Sequence, residues 1–325
     1  MHAWLCEQPT GLDALQWKEL PTPEPGPQQV RVAIRAASLN FPDILIVQGK
    51  YQFKPDPPFV PGSEYAGVIE AVGAEVKGLK PGVQVAVIGG TGGFATHALA
   101  DAARVMPLPP GFTFEHGAAF AFTYGTSHHA LIDRAALKAG ETVFVLGAAG
   151  GVGTAALQIA KAAGARVIAG VSSARKVELC LSLGADAAIN YSSENLRDAL
   201  KQHTAGKGPD VIYDPVGGDL AEPAFRSIAW RGRYLVVGFA QGGIPALPFN
   251  LALLKGASIV GVFWGDFLRR EPAASAQGMQ QLAQWYAQGR IKPVIDQVLP
   301  MPRLREAYAR MASREALGKI VMVNA

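Results

Sequence analysis

Two stretches in the middle of the chain carry residue types suited to holding phosphate. In VFVLGAAGGVGTAALQIAKAAGA an apolar run meets a glycine-rich turn, then a segment with Ala155, Ala156, Ile159, Ala160 and Ala163 at helical spacing. Gly150, Gly151 and Gly153 let the backbone turn sharply and approach a ligand with no Cβ in the way. The helix start behind them offers free N–H groups and the positive end of a dipole. Against the G-x-G-x-x-G template, Ala148 stands in place of the first glycine, but the strand–turn–helix context is the one dinucleotide binding requires. The next apolar run ends in VSSARK, residues 171–176, where an NAD site usually places Asp or Glu on the ribose 2′-hydroxyl. A carboxylate there would repel a 2′-phosphate. Ser172 and Ser173 can donate hydrogen bonds to one, and Arg175 or Lys176 can neutralise it. The missing acid points to NADPH. The competing reading is a serine-capped helix start with solvated cations. Tyr191, at the end of the third strand of this region, either packs beside the adenosine or fills the core.

Other chemistries lack their residues. Zinc needs converging Cys, His or carboxylate ligands. The six histidines (2, 97, 116, 128, 129 and 203) include no H-x-x-x-H pair, and Cys6 and Cys180 are too few for a four-cysteine lobe. No G-x-S-x-G elbow is present, and neither cysteine sits in an activating motif, so a covalent nucleophile is not expected. A hydride carrier needs neither, because the cofactor supplies the chemistry and the protein the orientation.

The elements that would position these residues fall into two patterns. The first third is β-like: HAWLCE, LQWKEL, QVRVAIRAASL, YAGVIEAVG and QVAVIGG are short runs separated by turn-rich loops such as PTPEPGP, which predicts a barrel or compact β domain. NFPDILIVQG and FTFEHGAAFAFTYGTSHHALIDRAAL read as helical. From Glu141 the pattern changes to six apolar runs, ETVFVLGA, ARVIAGV, DAAINY, PDVIYDPV, RYLVVGF and SIVGVFW, mostly separated by helical segments. That alternation predicts a doubly wound parallel sheet. A helix, a strand, a second helix and the closing GKIVMVN follow, and this tail is expected to complete the first domain. The 325 residues are enough for two cores, and 49% apolar with 17% charged residues is a globular composition. The net charge of +4 is spread without a run of five cations, which argues against nucleic acid as a partner. Two isolated cysteines, no secretory pattern at MHAWLCEQPTG and no apolar run of 18 residues lead us to expect a cytoplasmic enzyme with no membrane span.

NFPDILIVQGKY, VPGSEYAGVI, FTYGTSHHAL, VLGAAGGVGTAALQIAKAAGA and GKIVMV, in this order, resemble the quinone oxidoreductase (zeta-crystallin-like) branch of the medium-chain dehydrogenase/reductase superfamily. The resemblance runs across essentially the whole chain. It implies an α/β protein: a GroES-like β-rich catalytic domain, here residues 1–122 and 266–325, and a Rossmann NADPH-binding domain, residues 123–265. Zinc members of the superfamily carry Gly-His-Glu where this chain has Gly62-Ser63-Glu64, a cysteine in the region of Ser38, Leu39 and Asn40, and a four-cysteine lobe absent here. The resemblance therefore implies a zinc-free member. By the same matching, Asn40 of the N-F-x-D segment and Thr126 lie near the nicotinamide, and Gly150, Gly151 and Val152 form the pyrophosphate turn. Gly147 departs from the branch's alanine. Ser173, Lys176 and Tyr191 match the 2′-phosphate group, and Ser172 joins them from the residue chemistry alone. Phe239, Phe263 and Trp264 match strand ends beside the nicotinamide, and Lys319 matches a cofactor contact. A homodimer is implied by the resemblance only.

A quinone or enone acceptor is flat and apolar, so aromatic walls are expected, from Tyr51, Phe53, Phe59, Tyr124, Phe263, Trp264 and Phe267, although each could equally be ordinary core. QGKY matches a family segment that borders the acceptor, and the Tyr51 hydroxyl is a competent donor to an acceptor oxygen. Asn40 is the other candidate for that task, or else it orients the nicotinamide amide. The expected activity is NADPH-dependent quinone reduction without zinc. Reduction of the C=C bond of an enone or enoyl substrate is the alternative in mechanism. A non-catalytic NADPH-binding or RNA-binding crystallin-like protein is the alternative in class.

Overall fold

The computed structural model describes residues 1–324 and divides into two compact units, Met1–Phe122 with the stretch from Ile295 onward, and Thr123–Val294. In the first unit the central strand is Gln29–Ser38, in which Val30, Val32 and Ile34 are buried while Arg31 faces outward to Glu24 (2.8 Å) and Glu70 (3.3 Å). The period of two is that of a strand with one face on a core. The seven-stranded sheet runs Ile295–Pro300, Lys319–Val323, Gln29–Ser38, Glu64–Val72, Gln84–Ile88, Val105–Pro107, with His97–Asp101 also paired to Gln29–Ser38. Consequently the central strand has the C-terminal strand on one side (Ser38 opposite Val321) and Glu64–Val72 on the other (Ser38 opposite Glu64). Residues from the two ends of the chain are thereby brought beside Asn40.

The second unit holds a six-stranded parallel sheet, from edge to edge Ala187–Asn190, Arg166–Val171, Thr142–Leu146, Val211–Asp214, Arg233–Val236, Ser258–Gly261. In chain order that is 3-2-1-4-5-6, the doubly wound dinucleotide arrangement, with its crevice beside the first strand where the order reverses. Thr142–Leu146 is buried along nearly its whole length, as a strand covered on both faces must be.

One expectation needs correction. The chain returns to the first unit at Ile295, not at residue 266. The helices Trp264–Arg270 and Pro272–Ala287 stay with the second unit because their apolar faces bury there: Trp264, Phe267, Leu282 and Trp285 are all inside, and His128 Nε2 meets Gln281 Oε1 at 2.6 Å. The stretch after Phe112 is helical, in successive pieces. It breaks into Phe114–Ala118 and Ala121–His128, followed by a wider π-helical turn at His129–Arg134. Among the described residues no helix is long and apolar enough to cross a membrane.

Candidate active site

The glycine turn joins the Thr142–Leu146 strand to the helix Gly151–Ala162, with Gly150 as the helix cap. Gly153 is the residue that permits this geometry. A Cβ there would lie 2.2 Å from the carbonyl oxygen of Gly147 and 2.7 Å from Ala148 Cα, so helix and strand could not approach this closely. At Gly150 a Cβ would meet nothing nearer than 3.4 Å, which leaves open space over the turn for a ligand. Gly147 has φ +61°, a left-handed conformation that favours glycine over an alanine at this position. The first-turn N–H groups have no partner inside the helix. Ser127 locks the turn from below, donating to Val152 O at 3.0 Å while sharing a 2.9 Å bond with Tyr213 Oη. Thr126, next to it, is buried.

On the neighbouring strand the 2′-phosphate candidates gather as a group. Ser173 occupies the cap position of helix Ala174–Ser182, yet its side chain makes no capping bond. Its hydroxyl is not used for the structural role that would otherwise explain it. Lys176 Nζ donates to Ser172 Oγ at 2.9 Å, and both side chains are half-buried, whereas Arg175 is exposed. Tyr191 is tied to the same strand end by its N–H to Val171 O (3.0 Å), and its ring is partly packed on the core. Ser192, missed in the sequence, donates to Ser172 O at 3.1 Å. Its only signal was the serine pair following Tyr191. The unpaired helix start and the open face at Gly150 together fit a nicotinamide dinucleotide.

Of the residues matched to the nicotinamide, Phe239 is half-buried against the Gly217 turn and Phe263 is 58% exposed. Trp264 is only 6% exposed, its indole lying over Gly125, where a Cβ would sit 2.5 Å from the ring. It is a packing residue and is removed from the candidate surface. Four of the aromatic-wall candidates share that fate, since Phe59, Tyr124, Trp264 and Phe267 are all buried. Phe53, Phe263 and the half-buried Tyr51 remain. A cavity of about 380 Å³ between helices of this unit, lined by His128, Asp133, Trp264 and Gln281, includes nothing from the glycine turn and is not part of the cofactor surface.

The first unit contains a different kind of cluster. Asn40 is buried and its amide is engaged on both sides: Lys319 Nζ donates to Oδ1 at 2.5 Å, while Nδ2 faces Glu64 Oε2 (3.2 Å) and Ser63 Oγ (3.4 Å). Lys319 also donates to Leu39 O at 3.0 Å and lies 3.7 Å from Glu64 Oε2. Glu64 further accepts from Ser38 Oγ (3.0 Å) and Phe122 N (2.8 Å). Asp43 caps helix Phe41–Val47 by accepting from Asn40 N (2.8 Å) and holds the Gly62–Glu64 segment by accepting from Ser63 N (3.0 Å). Burial pushes the Asp43 carboxyl up to about 6 against the lowering effect of those bonds, raises Glu64 and lowers Lys319, each shift limited by the opposite charges nearby. Lys319 is thus buried with its ammonium on Leu39, Asn40 and Glu64, and the Asn40 amide is engaged by Lys319, Glu64 and Ser63. Glu64 was missed because Ser38, Asn40 and Lys319 are far from it in sequence; Asp43 has a local partner in Asn40 and a distant one in Ser63.

Tyr51 lies just past the helix that Asn40 starts. Burial and the charge of Asp43 hold its hydroxyl above the ordinary tyrosine range, so it stays protonated at neutral pH. Among the described residues no group of three or more His, Cys, Asp and Glu is placed to hold a metal ion.

A GroES-like unit and a Rossmann unit in one chain are the domains of an alcohol-dehydrogenase-type oxidoreductase, and comparison with known proteins bears this out. Residues 26–110 match the alcohol dehydrogenase GroES-like domain family and residues 151–284 the zinc-binding dehydrogenase family. The chain is 37% identical over 300 residues to the quinone oxidoreductase-like protein 2 homolog of Nematostella vectensis, covering 91% of this chain and 82% of that one. It superposes on the quinone oxidoreductase of Escherichia coli complexed with NADPH with a TM-score of 0.92 at 28% identity, over the full length of both. A third neighbour is the CurK enoyl reductase, with a TM-score of 0.88 and 25% identity over 99% of both chains. The chain belongs to the quinone oxidoreductase branch of the medium-chain dehydrogenase/reductase superfamily.

Proposed function

We propose that the protein is an NADPH-dependent quinone reductase that works without a metal ion. The observation that carries the cofactor choice is the strand end after Val171. It has no acid, a cap hydroxyl at Ser173 that caps nothing, and a half-buried Lys176 tied to Ser172. Bound NADPH would supply the hydride. Gly150, Gly151 and Val152 would hold the pyrophosphate on unpaired N–H groups; Ser172, Ser173, Lys176 and Tyr191 would hold the 2′-phosphate. Thr126, Phe239 and Phe263 are assigned to the nicotinamide end by family matching. Tyr51, protonated at neutral pH, is the candidate donor to the acceptor oxygen.

The structural likeness to an enoyl reductase supports a second reading, in which the same hydride reduces a C=C bond conjugated to a carbonyl and Tyr51 donates to the enolate oxygen. NADPH oxidation measured with quinones and enones side by side decides between them. An NADPH-binding protein that oxidises it with neither class would remove the reductase reading. Tyr51→Phe should slow turnover and leave NADPH affinity unchanged.

A homodimer is part of this proposal. The strand Ser258–Gly261 is an unpaired sheet edge, and the preceding helix exposes Phe249 (85%), Leu253 (79%) and Leu254 (68%). An exposed apolar patch beside an open edge is a surface that association would cover. Light scattering of Leu253→Glu against the unaltered chain tests it.

A further inference from the structure

We propose that Lys319 is a positioning residue: its ammonium is the internal cation that orients the Asn40 amide, balances Glu64, and so fixes the start of the helix leading to Tyr51. Lysine has only donors, so the side of Asn40 facing Nζ must be its oxygen, and the amide nitrogen is thereby turned toward Glu64 and Ser63. Asn40 is the first residue outside helix Phe41–Val47, with a capping box closed by Asp43. The far end is tied down by Gly49 N to Ile46 O (3.0 Å) and Lys50 N to Leu45 O (2.8 Å), immediately before Tyr51. A displacement at Asn40 is therefore passed along one rigid turn-and-helix to the candidate donor.

The charges are unequal and all deeply buried. Lys319 is faced by Glu64 and Asp43; Glu64 is faced by Lys319 with the neutral donors of Asn40, Ser38 and Phe122; Asp43 also acts on Tyr51 and Tyr308. Removing the one cation leaves two buried carboxylates without a counter-charge, which is the costly way to break a buried pair. The functional half of the inference rests on the reading of Tyr51 given above; the structural half does not.

The test uses the full chain and three variants: Lys319→Met, Lys319→Arg, and Lys319→Met with Glu64→Gln. Without the ammonium, Glu64 is held further above its unfolded value of 4.5 and takes up a proton in the folded state. Stability from such a raised group is present at low pH and lost as pH rises through the folded value. Lys319→Met should therefore lower Tm by roughly 6–10 °C at pH 8 and by much less at pH 5. The double variant should recover the part of that loss owed to Glu64 and reduce the pH dependence of the difference, leaving the part owed to Asp43, and Lys319→Arg should keep the profile of the unaltered chain. NADPH affinity, titrated by fluorescence, should stay within about twofold, while turnover with a quinone falls by about tenfold or more. A Tm loss that is equal at all pH values and is not rescued by Glu64→Gln would reduce Lys319 to packing and overturn the proposal. A tenfold loss of NADPH affinity at unchanged Tm would overturn it in the other direction, making Lys319 a cofactor ligand. If Lys319→Met fails to fold, a folded double variant with unaltered NADPH affinity supports the proposal, and a double variant that also fails overturns it. An unaltered chain inactive with every acceptor sinks the reductase reading alone, because the Tm and affinity measurements still decide the role of Lys319.

Discussion

The strand ends around Gly150 and Ser173 and the cluster around Asn40 are both rich in polar groups, but they differ in what those groups lack. At the nucleotide end the helix start has N–H groups with no internal partner, and the Ser173 hydroxyl caps nothing. Around Asn40 each polar atom of the amide is answered from within the same unit, by Lys319, Glu64 and Ser63. Open valences mark a surface made for a ligand; closed ones mark a support. By this distinction Lys319 and Asn40 act as supports of their own unit, while the Ser173 cap position keeps an open group.

The largest effect that would break the comparison is expected at Gly153. Gly153→Ala should abolish measurable NADPH binding and cost on the order of 3 kcal/mol, because its Cβ meets fixed backbone. Gly150→Ala, with nothing nearer than 3.4 Å, should fold normally. Chemical denaturation with an NADPH titration checks both, and equal damage at the two sites would show that the turn has no open face.

A pH-dependent effect of similar size is expected from the closed cluster. Asp43 has a folded value of about 6 against 3.8 as its ordinary value, so the folded state keeps a proton that the unfolded chain has released. Its contribution is complete below about pH 4 and is lost as pH rises through 6. At about 1.4 kcal/mol per unit, this amounts to roughly 3 kcal/mol. Asp43→Asn has no such loss. Its stability relative to the unaltered chain should improve by about that amount between pH 4 and pH 7, and a constant difference would mean that Asp43 is not buried as described.

Smaller and more selective is Lys176→Ala, expected to weaken NADPH by roughly 1.5–3 kcal/mol, as for a charge-assisted hydrogen bond, with NADH binding and stability almost unchanged. Equal loss for both cofactors would move the 2′-phosphate elsewhere. The smallest effect is expected from Ser173→Ala. A working serine cap is worth about 1 kcal/mol of stability, but this hydroxyl makes no cap bond. Stability should therefore hold while NADPH weakens by about 1 kcal/mol. A clear loss of stability in a thermal melt would restore the plain capping reading.

Much of the nucleotide unit was legible because its signals are local. The strand, glycine turn and helix at 142–162 are contiguous, as are the strand and helix start around VSSARK, so period and residue type suffice to place them. The tail was misplaced at residue 266 because SIVGVFW reads as one apolar run. Nothing in it announces that Gly261 ends the strand or that Trp264 opens a helix packed on Gly125. The burial of Lys319 was hidden for a related reason: a lysine at the start of a strand looks the same whether it points to solvent, to phosphate or into a core.

Residue order alone determined the glycine turn, the absence of an acid at the strand end after Val171 and the alternation that makes a parallel sheet, because each depends on neighbours within a few residues. Only the tertiary structure decided which polar groups are spent internally. Ser38, Asn40, Glu64 and Lys319 meet because the Gln29–Ser38 strand is flanked by Glu64–Val72 and by the C-terminal strand, and the lysine joins its amide partner across 279 positions of chain. Burial then makes their mutual bonds obligatory, since an unanswered charge at that depth costs more than the fold can spare.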